Sequence, residues 1–375
     1  MNIFHCDHCQ QLIFFENVHC LNCHHPLAYL PDLQEIGSLE QTPQGLWRSP
    51  TPGRNGKEHL YRLCANYDRD NVCNWAIPTD DPHELCSACR LTRVIPDLSI
   101  VANKEAWYRL EVAKRRLVYS LMQLKLPISN RADDPKQGLS FEFLATAPHS
   151  KPVLTGHDDG VITINIAEAD DLQREQQRLQ WHEPYRTVLG HFRHESGHYY
   201  WDRLIKDEPS LLARYRDLFG DEQRDYQEAL NSHYQQGAPI DWQQSFISTY
   251  AAAHPWEDWA ETWAHYLHMV DALETAAAVG LSLQPKRKDE PAMTAKDLDQ
   301  RASNFERLID KWHPLTYALN NFSRGLGHPD SYPFVLSTPV IAKLKFVHDC
   351  IQDFDQQAVT HNTNQEPHSA LTEHA

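Results

Sequence analysis

Apolar residues recur at helical spacing from Asn103, a candidate N-cap, to Leu124, with Trp107, Leu110, Leu117, Leu121 and Leu124 on one face. This predicts a helix that opens the larger part of the chain, with the basic run Lys114-Arg115-Arg116 on a solvated face. Phe141–Leu144 and Val161–Ile166 read as strands, the second entered through an Asp158-Asp159-Gly160 turn. At a sheet edge Val161–Ile166 could pair with an extended peptide; inside a sheet it could not, and its residues allow both. Pro184 favours a helix start, so one helix is expected from there to about Ile205, followed by an inserted helical segment from Pro209 to about Gln236. Helical spacing returns in 297–312 (Phe305, Leu308, Ile309, Trp312) and 339–354 (Ile341, Leu344, Phe346, Val347, Ile351), with a loop between Pro333 and Pro339. Residues 356–375 are polar, and a disordered tail is expected.

The length of 375 residues suggests two or three domains. The formal charge of −16 disfavours nucleic acid or an anionic membrane surface as main partner and suits basic or neutral ligands. There is no apolar run long enough to span a membrane, and Met-Asn-Ile-Phe-His-Cys lacks the features of a secretory signal, so a cytoplasmic protein is expected.

In that setting the cysteine spacing reads as metal binding rather than disulfides. Cys6-x2-Cys9 and Cys20-x2-Cys23 form two knuckles able to pinch one tetrahedral zinc. A second set is Cys64, Cys73, Cys86 and Cys89, with Tyr67 and Trp75 to pack around it. A redox reading is disfavoured, because two knuckles lie close together without a strand-then-helix context. Cys350, far from the rest, reads as a buried thiol. Residues 1–100 hold seven Lys and Arg against twelve Asp and Glu, so these ribbons suit a structural or protein-docking role. The stretch 44–53 reads as the loop that joins them.

The chemistry centres on His194-Glu195-Ser196-Gly197-His198. On a helix, two histidines four apart share a face and can hold one Zn²⁺, while Glu195 can take a proton from water at the metal. His191 lies on the same stripe, where it could support a ligand or line the pocket. Downstream, Trp256-Glu257-Asp258-Trp259-Ala260-Glu261 puts Glu257 and Glu261 one turn apart. One can bind the metal, and its neighbour can accept a hydrogen bond from a liganding histidine. His265 and His268 share that stripe as alternative ligands.

His-Glu-Ser-Gly-His followed by Glu-Asp-Trp-Ala-Glu-Thr-Trp-Ala-His-Tyr resembles the gluzincin-type metallopeptidases. With the N-terminal cysteine knuckles, the chain is similar to bacterial zinc-binding metallopeptidases that carry a zinc ribbon, over Cys6 to about Phe354. The resemblance implies an α+β fold: zinc-ribbon modules over 1–95, a mainly helical zincin-like domain with a small β-sheet over 100–355, and a tail over 356–375. It assigns His194, His198 and Glu257 to a catalytic zinc, Glu195 to base catalysis and Glu261 to support of a ligand histidine. A gluzincin with a similar E-x-x-A-E element carries a catalytic tyrosine seven residues before its ligand glutamate, and the matching position is Tyr250. The expected function is zinc-dependent peptide hydrolysis of a peptide or protein substrate, with one catalytic and one or two structural zinc ions. The competing readings are an inactive peptidase-like core whose ribbons dock a partner, and a zinc hydrolase of non-peptide amides.

Overall fold

The computed structural model describes residues 2–50, 59–146, 151–180, 186–294 and 304–363. The fold is α+β: small strands around two cysteine clusters come first, and a mainly helical part with small sheets follows.

Two knuckles of the same shape open the chain. β1 (Phe4–His5) pairs antiparallel with β2 (Leu12–Ile13), and between them Gln10 takes a left-handed φ of 63°. Gln10 N–H donates to the Cys6 carbonyl at 2.7 Å, and Cys6 N–H to that of Gln11 at 2.8 Å. Residues 20–25 repeat this turn, with His24 at φ 62° and the equivalent bonds both at 2.9 Å. A hairpin of β3 (Leu27–Leu30) and β4 (Glu35–Ser38) follows. β5 (Glu40–Gln41), β6 (Trp47–Arg48), β7 (Leu60–Leu63) and β8 (Ala76–Pro78) then form an antiparallel sheet in chain order, with α1 (Ala65–Asp68) leaving β7. Trp47–Arg48 is therefore a strand and not loop, while the turn around Gly45 (φ 80°) and residues 49–50 match the expected connection. Two residues are too few for alternation to show in a sequence. Residues 51–53 of that stretch lie outside the described residues.

The two ribbons share one core. Tyr29 N–H donates to the Asn74 carbonyl at 2.8 Å, and the Tyr67 hydroxyl to that of Leu27 at 2.9 Å. Rings of Phe15 and Tyr29 meet edge-on and those of Tyr29 and Trp75 at a tilt, and Phe15 also meets Tyr119 of α2 (Val101–Gln123) at 5.4 Å. Helix α2 begins at Val101 after Ile100, two residues before its expected cap; the Asn103 amide instead donates back to the Asp97 carbonyl at 2.9 Å. The basic run is corrected too. Lys114 and Arg115 are buried, and only Arg116 faces outward, pairing with Glu16 at 2.6 Å. Lys114 sits 2.9 Å from the buried Glu111 carboxylate, and an Arg115 N–H donates to the Val72 carbonyl at 2.5 Å. Helix α2 is wedged between the ribbons and later helices, so its cations are buried where hydrogen-bonding partners compensate them.

The sheet beside the helices has the order β11 (Gly156–Asp158), β12 (Val161–Asn165), β10 (Ser140–Leu144), β9 (Thr92–Val94). Strand β12 is interior, and the edge is β11, which pairs antiparallel with it. The turn between them has positive φ at Asp159 (43°) and Gly160 (78°), the hairpin geometry that turn sequence favours. Phe141 and Phe143 pack this sheet onto the ring of Phe192.

After α3 (Asp171–Gln180), α4 spans Val188–Leu204, and Thr187 caps it by accepting the Gly190 N–H at 2.9 Å. It thus starts after Pro184, which lies outside the described residues. The insertion holds α5 (Pro209–Phe219) and α6 (Tyr226–Gln236). Helix α7 (Pro255–Ala278) crosses α4 at Gly197, where a Cβ would come within 2.9 Å of the Ala260 Cα. Trp259 and Trp263 of α7 donate their indole N–H to the Gly197 carbonyl (2.8 Å) and the Ser196 hydroxyl (3.1 Å). Helix α8 (Phe305–Gly325) is capped by Asn304, and residues 297–303 of its expected start lie outside the described residues. Helix α9 (Thr338–Thr363) runs on into the segment expected to be disordered, because extending a formed helix costs far less than starting one. Residues 364–375 lie outside the described residues.

Candidate metal centre and active site

Helices α4 and α7 bring the donors together. His194, His198 and Glu257 offer ligand atoms all within 4.8 Å of one another. Oε2 of Glu257 lies 3.0 Å from His194 Nε2 and 3.5 Å from His198 Nε2. It is buried and takes no regular hydrogen bond among the described residues, so it faces the two imidazole lone pairs in the arrangement a cation completes. The donor set, two imidazole nitrogens and one carboxylate oxygen, fits zinc.

The surroundings fix each donor. His194 Nδ1 is 2.6 Å from Glu261 Oε1, and the other Glu261 oxygen accepts the Ser248 hydroxyl at 2.6 Å. This places the proton on Nδ1 and directs the Nε2 lone pair to the centre. The second Glu257 oxygen, Oε1, accepts the Tyr226 hydroxyl at 2.5 Å. The Trp256 ring lies 3.9 Å from that of His198. Burial opposes a charge on Glu257, yet the facing His198 and His194 outweigh it and hold the carboxyl well below its usual range.

Glu195 is on the same helix turn, almost fully buried, and burial raises its pKa above the ordinary carboxylate value. The Tyr250 ring is 5.8 Å from that of His194, and burial together with the Glu257 charge pushes its hydroxyl pKa well up. His191 turns away to Glu168, 3.2 Å from its carboxylate. His265 bonds the Tyr332 hydroxyl at 2.9 Å, and His268 packs on Trp312 and Tyr332; burial lowers their pKa values to about 4 and about 3. Neither stands in the metal group.

The cysteines gather as two tetrads, Cys6, Cys9, Cys20, Cys23 and Cys64, Cys73, Cys86, Cys89. Sulfur pairs lie 3.5–3.8 Å apart, and all nine cysteines are free of disulfides. The second tetrad is buried throughout, while Cys9 and Cys23 of the first are part-exposed. Cys350 is a buried thiol, its pKa pushed up to about 12 by burial.

Sequence reasoning missed Tyr226, Ser248 and the edge strand β11. Tyr226 comes from the insertion, 31 residues before Glu257, and no helical or strand period links the two. His157 on β11 was also missed; its ring lies 6.2 Å from those of His198 and Trp256, and its Nε2 accepts the Gly160 N–H at 2.9 Å.

No helix among the described residues is long and apolar enough to cross a membrane. An uncharacterized protein of Mycobacterium bovis and uncharacterized proteins of two Mycobacterium tuberculosis strains are each 43% identical over 353 residues, covering 94% of this chain and 96% of theirs. No solved structure matches the chain. Residues 3–100 match a zinc-ribbon domain family. Residues 103–350, which contain the α4–α7 centre, match the family described as "Putative zinc-binding metallo-peptidase", and the chain belongs to that family.

Proposed function

We propose that the protein is a zinc-dependent peptidase of gluzincin type, acting on a peptide or protein substrate. The observation that carries this reading is the convergence of His194, His198 and Glu257 around one point, with Glu261 behind His194 and Glu195 on the same helix. A zinc ion held there would lower the pKa of a water in its open position and polarise a substrate carbonyl. Glu195 takes the proton from the attacking water and returns it to the leaving amine; its raised pKa suits both transfers. Tyr250, a neutral phenol beside His194, donates to the oxyanion that develops on the attacked carbonyl. The outer edge of β11, which pairs with no strand among the described residues, can pair with an extended substrate backbone, the role considered for Val161–Ile166. The ribbons stabilise the chain through their zinc ions and offer a surface for a protein partner.

Glu195→Gln keeps the shape of the side chain and removes the base. It should retain its zinc and lose cleavage by at least ~100-fold. Wild type and variant are incubated with a peptide library, and new termini are compared by mass spectrometry. Cleavage of peptides by both proteins alike would refute Glu195 as base. Absence of cleavage by both, with zinc bound, would favour a binding module or a hydrolase of non-peptide amides.

A further inference from the structure

We propose that His8, Cys23 and His25 form a further metal site on the outer face of the first ribbon, taking a second Zn²⁺-class ion through two imidazoles and a thiolate shared with the four-cysteine site. One ligand atom from each of the three residues lies within 4.8 Å of the others. The His8 and His25 rings stack with centroids 4.0 Å apart and planes 30° from parallel. Nδ1 of His25 is buried and has no hydrogen-bond partner among the described residues. His8 is exposed and Cys23 part-exposed, so an ion can reach the cluster from solvent.

The repeat of the two knuckles separates what the turn needs from what these histidines add. Matched by their position after the first cysteine of each knuckle, His8 corresponds to Asn22, and His25 to Gln11. Asn22 hydrogen-bonds the Cys9 sulfur, and the Gln11 amide donates outward to the Leu12 carbonyl at 3.3 Å. The turn and its thiolate hydrogen bond are therefore served by amide side chains, which are poor ligands for zinc. At both matched positions the second edge of the ribbon carries imidazoles instead, and these meet over a single sulfur. A zinc with four thiolates keeps two net negative charges, which attract another cation to the shared sulfur. Three protein donors leave that ion one position for water, so it exchanges more readily than an ion enclosed by four. The site does not depend on the peptidase reading, because it shares no residue with the His194, His198 and Glu257 group.

The test is a double variant, His8→Asn with His25→Gln, which gives the second edge the residues that the first already uses. Full-length wild type and variant are titrated with Zn²⁺ and their bound ions counted by native mass spectrometry, with release to a chromogenic chelator followed in parallel. Wild type should bind one zinc more than the variant, and this ion should leave first. His8→Asn alone should weaken it by at least ~10-fold, since a side-chain amide is a poor ligand for zinc and replaces one of three donors. Equal zinc counts and equal release in wild type and both variants would overturn the proposal and leave His8 and His25 as a stacked pair without a metal.

Discussion

At the scale of residues, the metal centre depends on which carboxylate oxygen each partner takes. Tyr226 occupies Glu257 Oε1 and leaves Oε2 to face the histidines, while Glu261 and Ser248 set the proton of His194. Glu257→Ala should lose the zinc of this centre outright, whereas Glu261→Ala and Tyr226→Phe should hold it about 10-fold more weakly. Competition with a zinc chelator measures all three, and a Glu257→Ala protein with wild-type zinc content would remove Glu257 from the ligand set. The acid pair was legible because one helical turn separates its members and fixes their common face. Tyr226 was not, because its contact joins two elements whose relative placement no local period encodes. The buried Lys114 and Arg115 misled for a related reason: a basic run looks solvated until the partners that bury it, Glu111 and the Val72 carbonyl, are in place.

At the scale of elements, the candidate centre exists because α4 and α7 approach closely enough for His194, His198 and Glu257 to face one point. Gly197 makes that approach possible. Of the two variable residues inside the His-Glu-x-x-His run, Ser196 accepts an indole N–H from Trp263, and Gly197 gives its carbonyl to Trp259 and its missing side chain to the Ala260 backbone. Gly197→Ala places a methyl 2.9 Å from the Ala260 Cα and 3.2 Å from the Trp263 Cβ, both on a packed helix that cannot yield cheaply. Relief from better helix propensity is about 1 kcal/mol, and overpacking costs about 1–3 kcal/mol, so a net destabilisation is expected. A lowered melting temperature together with weaker zinc retention would register it; a more stable protein would mean that the helices separate freely. Helical periods marked most of these elements, but their starts moved. Thr187 caps α4, and the helix at Asn103 begins earlier, because caps depend on local hydrogen bonds that several nearby residues could make. The edge position of β11 was hidden as well, since three residues show no alternation and sheet order is a property of pairing.

At the scale of the whole molecule, the ribbons and the helical part are joined through α2, so a metal held by the cysteine tetrads would be part of the shared core. Tyr119 of α2 packs among the ribbon rings Phe4, Phe15 and Tyr29. Arg115, also on α2, is buried near the second tetrad; burial opposes its charge, but Cys73 and Glu111 outweigh this and raise its pKa. A filled four-thiolate site keeps a net negative charge that compensates this cation, whereas emptied and protonated thiols would not. Loss of the second zinc should therefore destabilise α2 more than loss of the first, whose ribbon meets α2 through Phe4 and Phe15 against Tyr119 and not through a buried cation. Access orders the two events, because Cys9 and Cys23 are part-exposed and every sulfur of the second tetrad is buried. A strong chelator should remove zinc in at least two phases, the fast one with little change in helical circular dichroism and the slow one together with helix loss and a falling melting temperature. Cys23→Ser should accelerate only the fast phase, and Cys73→Ser should abolish the slow phase and destabilise the isolated protein at once. Simultaneous release of both ions with a single unfolding step would instead mean that the ribbons open as one unit, and Arg115→Met would then decide whether the buried cation or the aromatic core couples them: a variant that keeps its helices after chelation identifies the charge.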